Sequence, residues 1–220
     1  MNIHSFSFCG TTLHALGSGA LYWPDTRLCV VSDLLLGKAE RVARRSRQLL
    51  PPYEVTETLT RLEDALNQTN PATVICLGDS FDDLAAGRDL NDDHKLWITR
   101  LMAGRRWIWI EGNHDPGPLD FGGTHLAELR EGPLTFRHIA TGQCAGEVSG
   151  HYHPKAHIHL RGRSISRPSF LVDREKLILP AFGTYTGGLR TDSPALSALM
   201  RPEAYAIITG PAPCAVPMPR

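Results

Sequence analysis

Four short apolar runs of this chain each end in residues that can hold a metal ion. CVVSD ends at Asp33, TVICLGDSFDD runs into Asp79, WIWIEGNHD reaches Asn113 and His114, and GEVSGHYH delivers His151 and His153. Apolar, β-branched runs of this length read as buried strands bounded by turn residues. A chain that repeats the pattern must lay its strands side by side with their polar ends along one edge. Loops at strand ends, held by a rigid sheet, are where α/β architectures gather such side chains. In an extended segment His151 and His153 share a face, because side chains alternate with period two, so they can meet metal together. Gly78, Gly112 and Gly150 stand beside the ligands and permit sharp turns and close backbone approach.

The ligand types narrow the ion. Carboxylate, carboxamide oxygen and imidazole together suit Mn²⁺, Fe²⁺ or Zn²⁺ rather than thiophilic metals. One carboxylate can bridge two ions about 3.5–4 Å apart, a pair able to clamp the attacking and leaving oxygens of a phosphate.

The rest of the chain supplies a frame. ALYWPDTRLCVVSD is two apolar runs joined by the turn pair Pro24-Asp25. Val55, Leu59, Leu62 and Leu66 fall at spacings of four, three and four, a helical stripe. DDHKLWITRLMAG reads as a second helix, stopping at Gly104. Beyond residue 120 short apolar segments separated by glycine and proline replace the helices. The pattern predicts two packed sheets with helices outside. One domain is expected over residues 1–210, with a frayed Pro-rich tail at 211–220, because proline this dense suits neither sheet nor helix.

Lys plus Arg equals Asp plus Glu at 23 each, so no global field draws in nucleic acid or an anionic membrane. Attraction to phosphate must come from local patches or bound metal. The sequence holds no apolar stretch of about 18 residues and no signal-peptide pattern at its start. Its five cysteines are odd in number and widely spaced, against a disulfide framework or thiolate zinc site. A cytoplasmic setting without membrane association is expected.

The order D…GDxxxD…GNHD…H…GHxH over residues 33–153 resembles the calcineurin-like metallophosphoesterase superfamily. More narrowly, DLLLGKAERVARR, LGDSFDD, EGNHDP, SGHYHP and LPAFGTYTGGL resemble the bacterial ligase-associated DNA-damage-response metallophosphoesterases, to about residue 190. The resemblance implies an α/β fold, a four-layer α/β/β/α sandwich of two mixed β-sheets flanked by helices. It implies a DNA endonuclease acting on single strands in repair, with two manganese ions, a metal-bound hydroxide as nucleophile, and a DNA ligase or helicase as partner. Position by position, it places Asp33 on the first metal, Asp79 between the two, Asn113 and His151 on the second, and His153 back on the first. The family's lone histidine between GNHD and GHxH falls on His125 or His138; FRHIA, a short strand like the other carriers, favours His138. His114, oriented by Asp115, would serve the leaving oxygen.

Two positions depart from that pattern. Where the family has Asp-x-His, this chain has Leu35, which cannot bind metal, so the first site would rest on Asp33, Asp79, His153 and water. Losing even an outer partner of a ligand typically costs about 10–100-fold in affinity or activity; a weakened first site is expected. Asp82 stands where relatives carry a histidine beside the substrate, and would repel a phosphate dianion or stand in for the missing ligand. Lys38, Arg41, Arg44, Arg45 and Arg47 form a basic run that would guide a DNA backbone or simply make an exposed charged helix. Trp107 and Trp109 read as core. The alternatives to a DNA endonuclease are a phosphoesterase for a nucleotide or other small molecule, and a catalytically weak homologue that serves a repair complex as a binding component.

Overall fold

Strand residues of this chain alternate between two apolar environments, and the architecture follows from that alternation. The computed structural model describes residues 2–38, 53–115, 117, 120–142, 144–160 and 162–219. The first half gives β1 (Ile3–Phe8), β2 (Thr11–Leu16), β3 (Leu21–Trp23) and β4 (Leu28–Val31), then α1 (Glu54–Thr69) and β5 (Thr73–Leu77). It continues with α2 (Leu84–Asp89), α3 (Asp92–Met102), β6 (Arg106–Ile110) and β7 (Thr124–Leu126). The second half is strand-rich: β8 (Glu128–Glu131), β9 (Leu134–Arg137), β10 (Glu147–Ser149), β11 (Lys155–Leu160), β12 (Arg163–Val172) and β13 (Lys176–Ile178). It ends with α4 (Pro194–Leu199), β14 (Tyr205–Ile208) and β15 (Cys214–Pro217).

Among the described residues the first sheet has the order β1-β2-β3-β4-β5-β6-β7, antiparallel up to β4 and parallel from β4 to β7. The second has the order β15-β14-β12-β13-β10-β9-β8, with β11 paired to β12; β9, β10 and β13 are parallel. On β4, β5 and β6 the residues Val30, Ile75 and Ile108 point inward to Phe136, Val148, Phe170 and Leu177 of the second sheet. Their neighbours Val31, Cys76, Trp107 and Trp109 point outward to Leu59, Leu62 and Leu66 of α1 and Ile98 and Leu101 of α3. The far face of the second sheet, with Leu171, Ile178 and Ala206, is covered by Leu196 of α4 and by Met200 and Met218. These layers are the expected α/β/β/α sandwich of two mixed sheets. The helical stripe, the second helix and the two tryptophans in core all fall where the sequence places them.

The chain's ending differs from the expectation. Cys214–Pro217 pairs antiparallel with β14, from Cys214 opposite Ile208 to Pro217 opposite Tyr205, and Met218 is buried. Proline is admissible here because β15 is an edge strand, where a missing N–H need not break a ladder. Residues 211–220 therefore carry the last strand of the second sheet instead of a frayed tail. Truncation after Pro213 is expected to lower unfolding stability by about 2 kcal/mol, the order of burying one methionine side chain. Urea unfolding followed by tryptophan fluorescence reads this, and an unchanged midpoint would show that the strand adds nothing.

Candidate metal centre

The parallel strands of both sheets deliver their carboxyl ends to one edge. Asp33 follows β4, Asp79 follows β5, Asn113 and His114 follow β6, His138 follows β9, and His151 and His153 follow β10. The loops after β4 and β5 are joined by backbone hydrogen bonds. Asp33 N–H donates to Gly78 O, Leu35 N–H to Asp79 O, Leu36 N–H to Ser80 O, and Asp82 N–H returns to Leu36 O, all at 2.9–3.2 Å. Asp33, Leu35, Asp79, His151 and His153 all sit at φ between 46° and 69°. Left-handed backbone costs an L-residue about 1–2 kcal/mol, so tertiary contacts hold these loops. The histidine pair is thus not on an extended segment. β10 stops at Ser149, and two left-handed turns aim the imidazoles, with His151 reaching His138 and His153 reaching Asp33.

Asp79, His138 and His151 bring their ligand atoms within 4.8 Å of one another. His138 Nδ1 lies 2.8 Å from the carbonyl of Leu77, to which it donates, leaving Nε2 for the centre. Around Nε2 lie Asn113 Oδ1 at 2.9 Å, His151 Nδ1 at 3.2 Å and Asp79 Oδ2 at 3.3 Å. Four lone-pair atoms converge with nothing but a proton or cation to reconcile them, which is the fit a divalent ion requires. Of the two histidines left open by the sequence, the structure brings His138 to this cluster. His125 lies on β7, stacked on Trp109 with ring centroids 6.3 Å apart.

A second group lies beside the first. Asp33, fully buried, accepts hydrogen bonds at Oδ2 from Ser32 Oγ and from His151 N–H. Its Oδ1 makes no hydrogen bond, yet stands 3.0 Å from His153 Nε2, as two atoms sharing a cation would. Leu35 is buried beside this loop and contributes only its backbone N–H. Asp82 is buried outside the tight cluster.

Asp115 does not orient His114. Its carboxylate accepts backbone N–H groups from Asp79 (2.9 Å), Ser80 (2.8 Å), Phe81 (3.3 Å) and Gly112 (3.1 Å). Gly112 passes so close that a Cβ there would collide with the backbone nitrogen and carboxylate of Asp79. His114 instead places Nδ1 2.7 Å from the carbonyl of Asp82 and gives its backbone N–H to Asp79 Oδ1 at 2.8 Å. Neither Ser32 nor the Leu77 carbonyl was marked by sequence; a serine and a main-chain oxygen carry no distinguishing signal. Arg41, Arg44, Arg45 and Arg47 lie outside the described residues, while the Lys38 ammonium bonds the carbonyl of Tyr185 at 3.1 Å.

The charges are poised accordingly. Burial alone would lower the pKa of His138, but its hydrogen bond to Asp79 and the charges of Asp33 and Asp79 outweigh it and hold the ring at about 8. Burial would raise Asp79, yet His138 and the N–H of His114 bring it below the ordinary value. His151 is lowered by burial and by His138. Burial raises Asp115 to about 6 against its backbone donors.

A metal entering this cluster must displace the proton of His138, while His151 gives up none near neutrality. The dissociation constant for a divalent ion at the cluster is expected to fall about tenfold per pH unit from pH 6.5 to 8 and then level off. Calorimetric titration with Mn²⁺ in buffers of different ionisation enthalpy reads both the slope and the released proton; a flat profile would exclude the protonated His138.

The calcineurin-like phosphoesterase family model matches residues 26–177, which contain every ligand from Asp33 to His153. Among solved structures, that of the Pseudomonas putida nuclease MPE is similar with a TM-score of 0.75 and 27% sequence identity, covering 97% of this chain and 100% of that one. None of the curated proteins matches. Among the described residues no helix is long and apolar enough to cross a membrane. The chain belongs to the calcineurin-like phosphoesterase family and is a metal-dependent hydrolase of phosphate esters.

Proposed function

We infer that the chain is a divalent-metal phosphodiesterase that cuts single-stranded DNA endonucleolytically in repair, working in the cytoplasm with manganese. The convergence of Asp79, Asn113, His138 and His151 around one point carries this reading. Its likeness over nearly the whole length to a structure described as a nuclease supports DNA over a small ester. A ligase or helicase acting on the same strand is the partner class this reading implies.

In this scheme Asp79, Asn113, His138 and His151 hold one ion; Asp33 and His153, with Asp79 shared, hold a second and weaker one. When bound, the metal offsets phosphate charge and lowers the pKa of the attacking water. The protein's own groups supply placement. Leu77 O fixes the His138 ring, Asp115 fixes the Asp79 loop, and Asp82 O fixes His114 with Nε2 free for the leaving oxygen. Arg41, Arg44 and Arg45 would follow the DNA backbone towards the ions. Asp82 shapes the substrate side through its carbonyl, which holds His114.

Buried Leu35 favours a second reading, a weakly active homologue that binds without turning over. Incubation with Mn²⁺ and circular single-stranded DNA, beside a small phosphodiester, separates the readings. Native protein is expected to carry one tightly bound ion per chain and to cut the circle, with Asp79→Ala reducing cleavage by about 100-fold or more. Leu35→His is expected to add a second tight ion and raise kcat/KM about tenfold. Two tight ions in the native protein would refute the weakened site. Turnover of neither substrate until Leu35→His is made would favour the binding component, and turnover of the small ester alone a small-molecule enzyme.

A further inference from the structure

The segment from Phe182 to Leu189 is fastened to the ligand loops along its length. Phe182 N–H donates to Ser32 O at 2.7 Å and Gly183 N–H to Asp33 O at 2.9 Å. Lys38 Nζ bonds Tyr185 O, and Lys155 Nζ bonds Thr186 O at 2.9 Å. Leu189 donates its N–H to Tyr152 O at 3.2 Å and accepts Lys155 N–H at 2.8 Å. Gly188 runs so close to His153 that a Cβ would strike its carbonyl. Two large apolar side chains stand out from this clamped rim, Tyr185 at 43% exposure and Leu189 at 38%. Leu189 lines an open cleft together with His151, Tyr152, His153 and Gly188.

Charge distinguishes this cleft from the one on the opposite side of the metal cluster. That second cleft touches Asn113 and His138 but is also lined by Glu111 and Glu128. Its Arg137 is engaged by Glu128 at 2.7 Å and Glu147 at 3.1 Å. Among the described residues no carboxylate lines the Leu189 cleft. A polyanionic strand at the metals therefore meets carboxylates in one cleft and, in the other, two imidazoles, Tyr152 and the apolar side chain of Leu189. Every base has a π-face that can settle on such a surface without sequence readout, whereas in a duplex both faces are already stacked.

We propose that Leu189 and Tyr185 form a platform for the nucleobase next to the scissile phosphate of a single-stranded nucleic acid, and that this rim selects unpaired strands. The proposal rests on the phosphodiesterase reading above. Both residues are positioning residues, with no part in bond cleavage.

The test compares the full-length protein with Leu189→Ala, Tyr185→Ala, the double variant, and the conservative Tyr185→Phe. Substrates are a single-stranded oligonucleotide, the same oligonucleotide with abasic sites, and bis(4-nitrophenyl) phosphate; oligonucleotide binding in EDTA is followed by fluorescence anisotropy. The double variant is expected to lose about tenfold in the ratio of kcat/KM on the oligonucleotide to that on the small diester, mainly through KM. Its dissociation constant should rise by a similar factor. Tyr185→Phe should keep the ratio, and the abasic substrate should not distinguish the variants. An unchanged ratio with DNA still cut would overturn the platform alone, as would an equal loss on the abasic substrate. Wild-type turnover of the small diester with no binding or cutting of the oligonucleotide would instead overturn the phosphodiesterase reading for DNA, and the platform with it.

Discussion

The buried carboxylate of Asp115 accepts four backbone N–H groups, three from the loop after β5 and one from Gly112 in the loop after β6. Without it those donors would be desolvated and unpaired, at about 1–3 kcal/mol each. With it, Asp79 is held in a left-handed conformation, and its Oδ1 is set to receive the His114 N–H. Asp115 thereby ties the loop after β5 to the loop after β6. It does so against its own desolvation, which lifts its pKa to about 6.

Loop shape and ligand chemistry can be separated in this fold. Leu35 keeps the left-handed turn that a ligand would need, because its N–H bonds Asp79 O whatever side chain it bears. The backbone turn at position 35 is therefore independent of the side chain it carries, and so is the approach of Asp33 to His153. A site can lose metal affinity without losing its scaffold, which is why a single histidine at position 35 can be asked to restore it.

Much of this was legible in the chain. Apolar runs closing on Asp33, Asp79, Asn113 and His151 announce strands and ligands together, because a buried strand tolerates polarity only where it ends. The two faces of β4, β5 and β6 were legible only as uniformly apolar, since both sides of a central sheet are covered. Other features depended on tertiary context. β15 lies in a proline-rich segment and is stable only as an edge strand backed by Met218. The left-handed turns at His151 and His153 defeat period-two reasoning, because Asp33 Oδ2 captures the N–H of His151 and pulls the chain off the strand path. Asp115 follows His114 in sequence and so suggests an imidazole partner, but the backbone donors of a different loop outcompete it.

The neutral balance of the chain gives the site its logic. With no global field, attraction to a phosphate must be assembled locally, and the site itself is built from acceptors: Asp33, Asp79, Asn113 and neutral imidazoles. Without a cation this cluster would repel an anion. The proton that Asp79 keeps on His138 is the least costly substitute, and it is the charge a metal has to replace. A metal bound at this cluster would supply the positive charge that a phosphate needs.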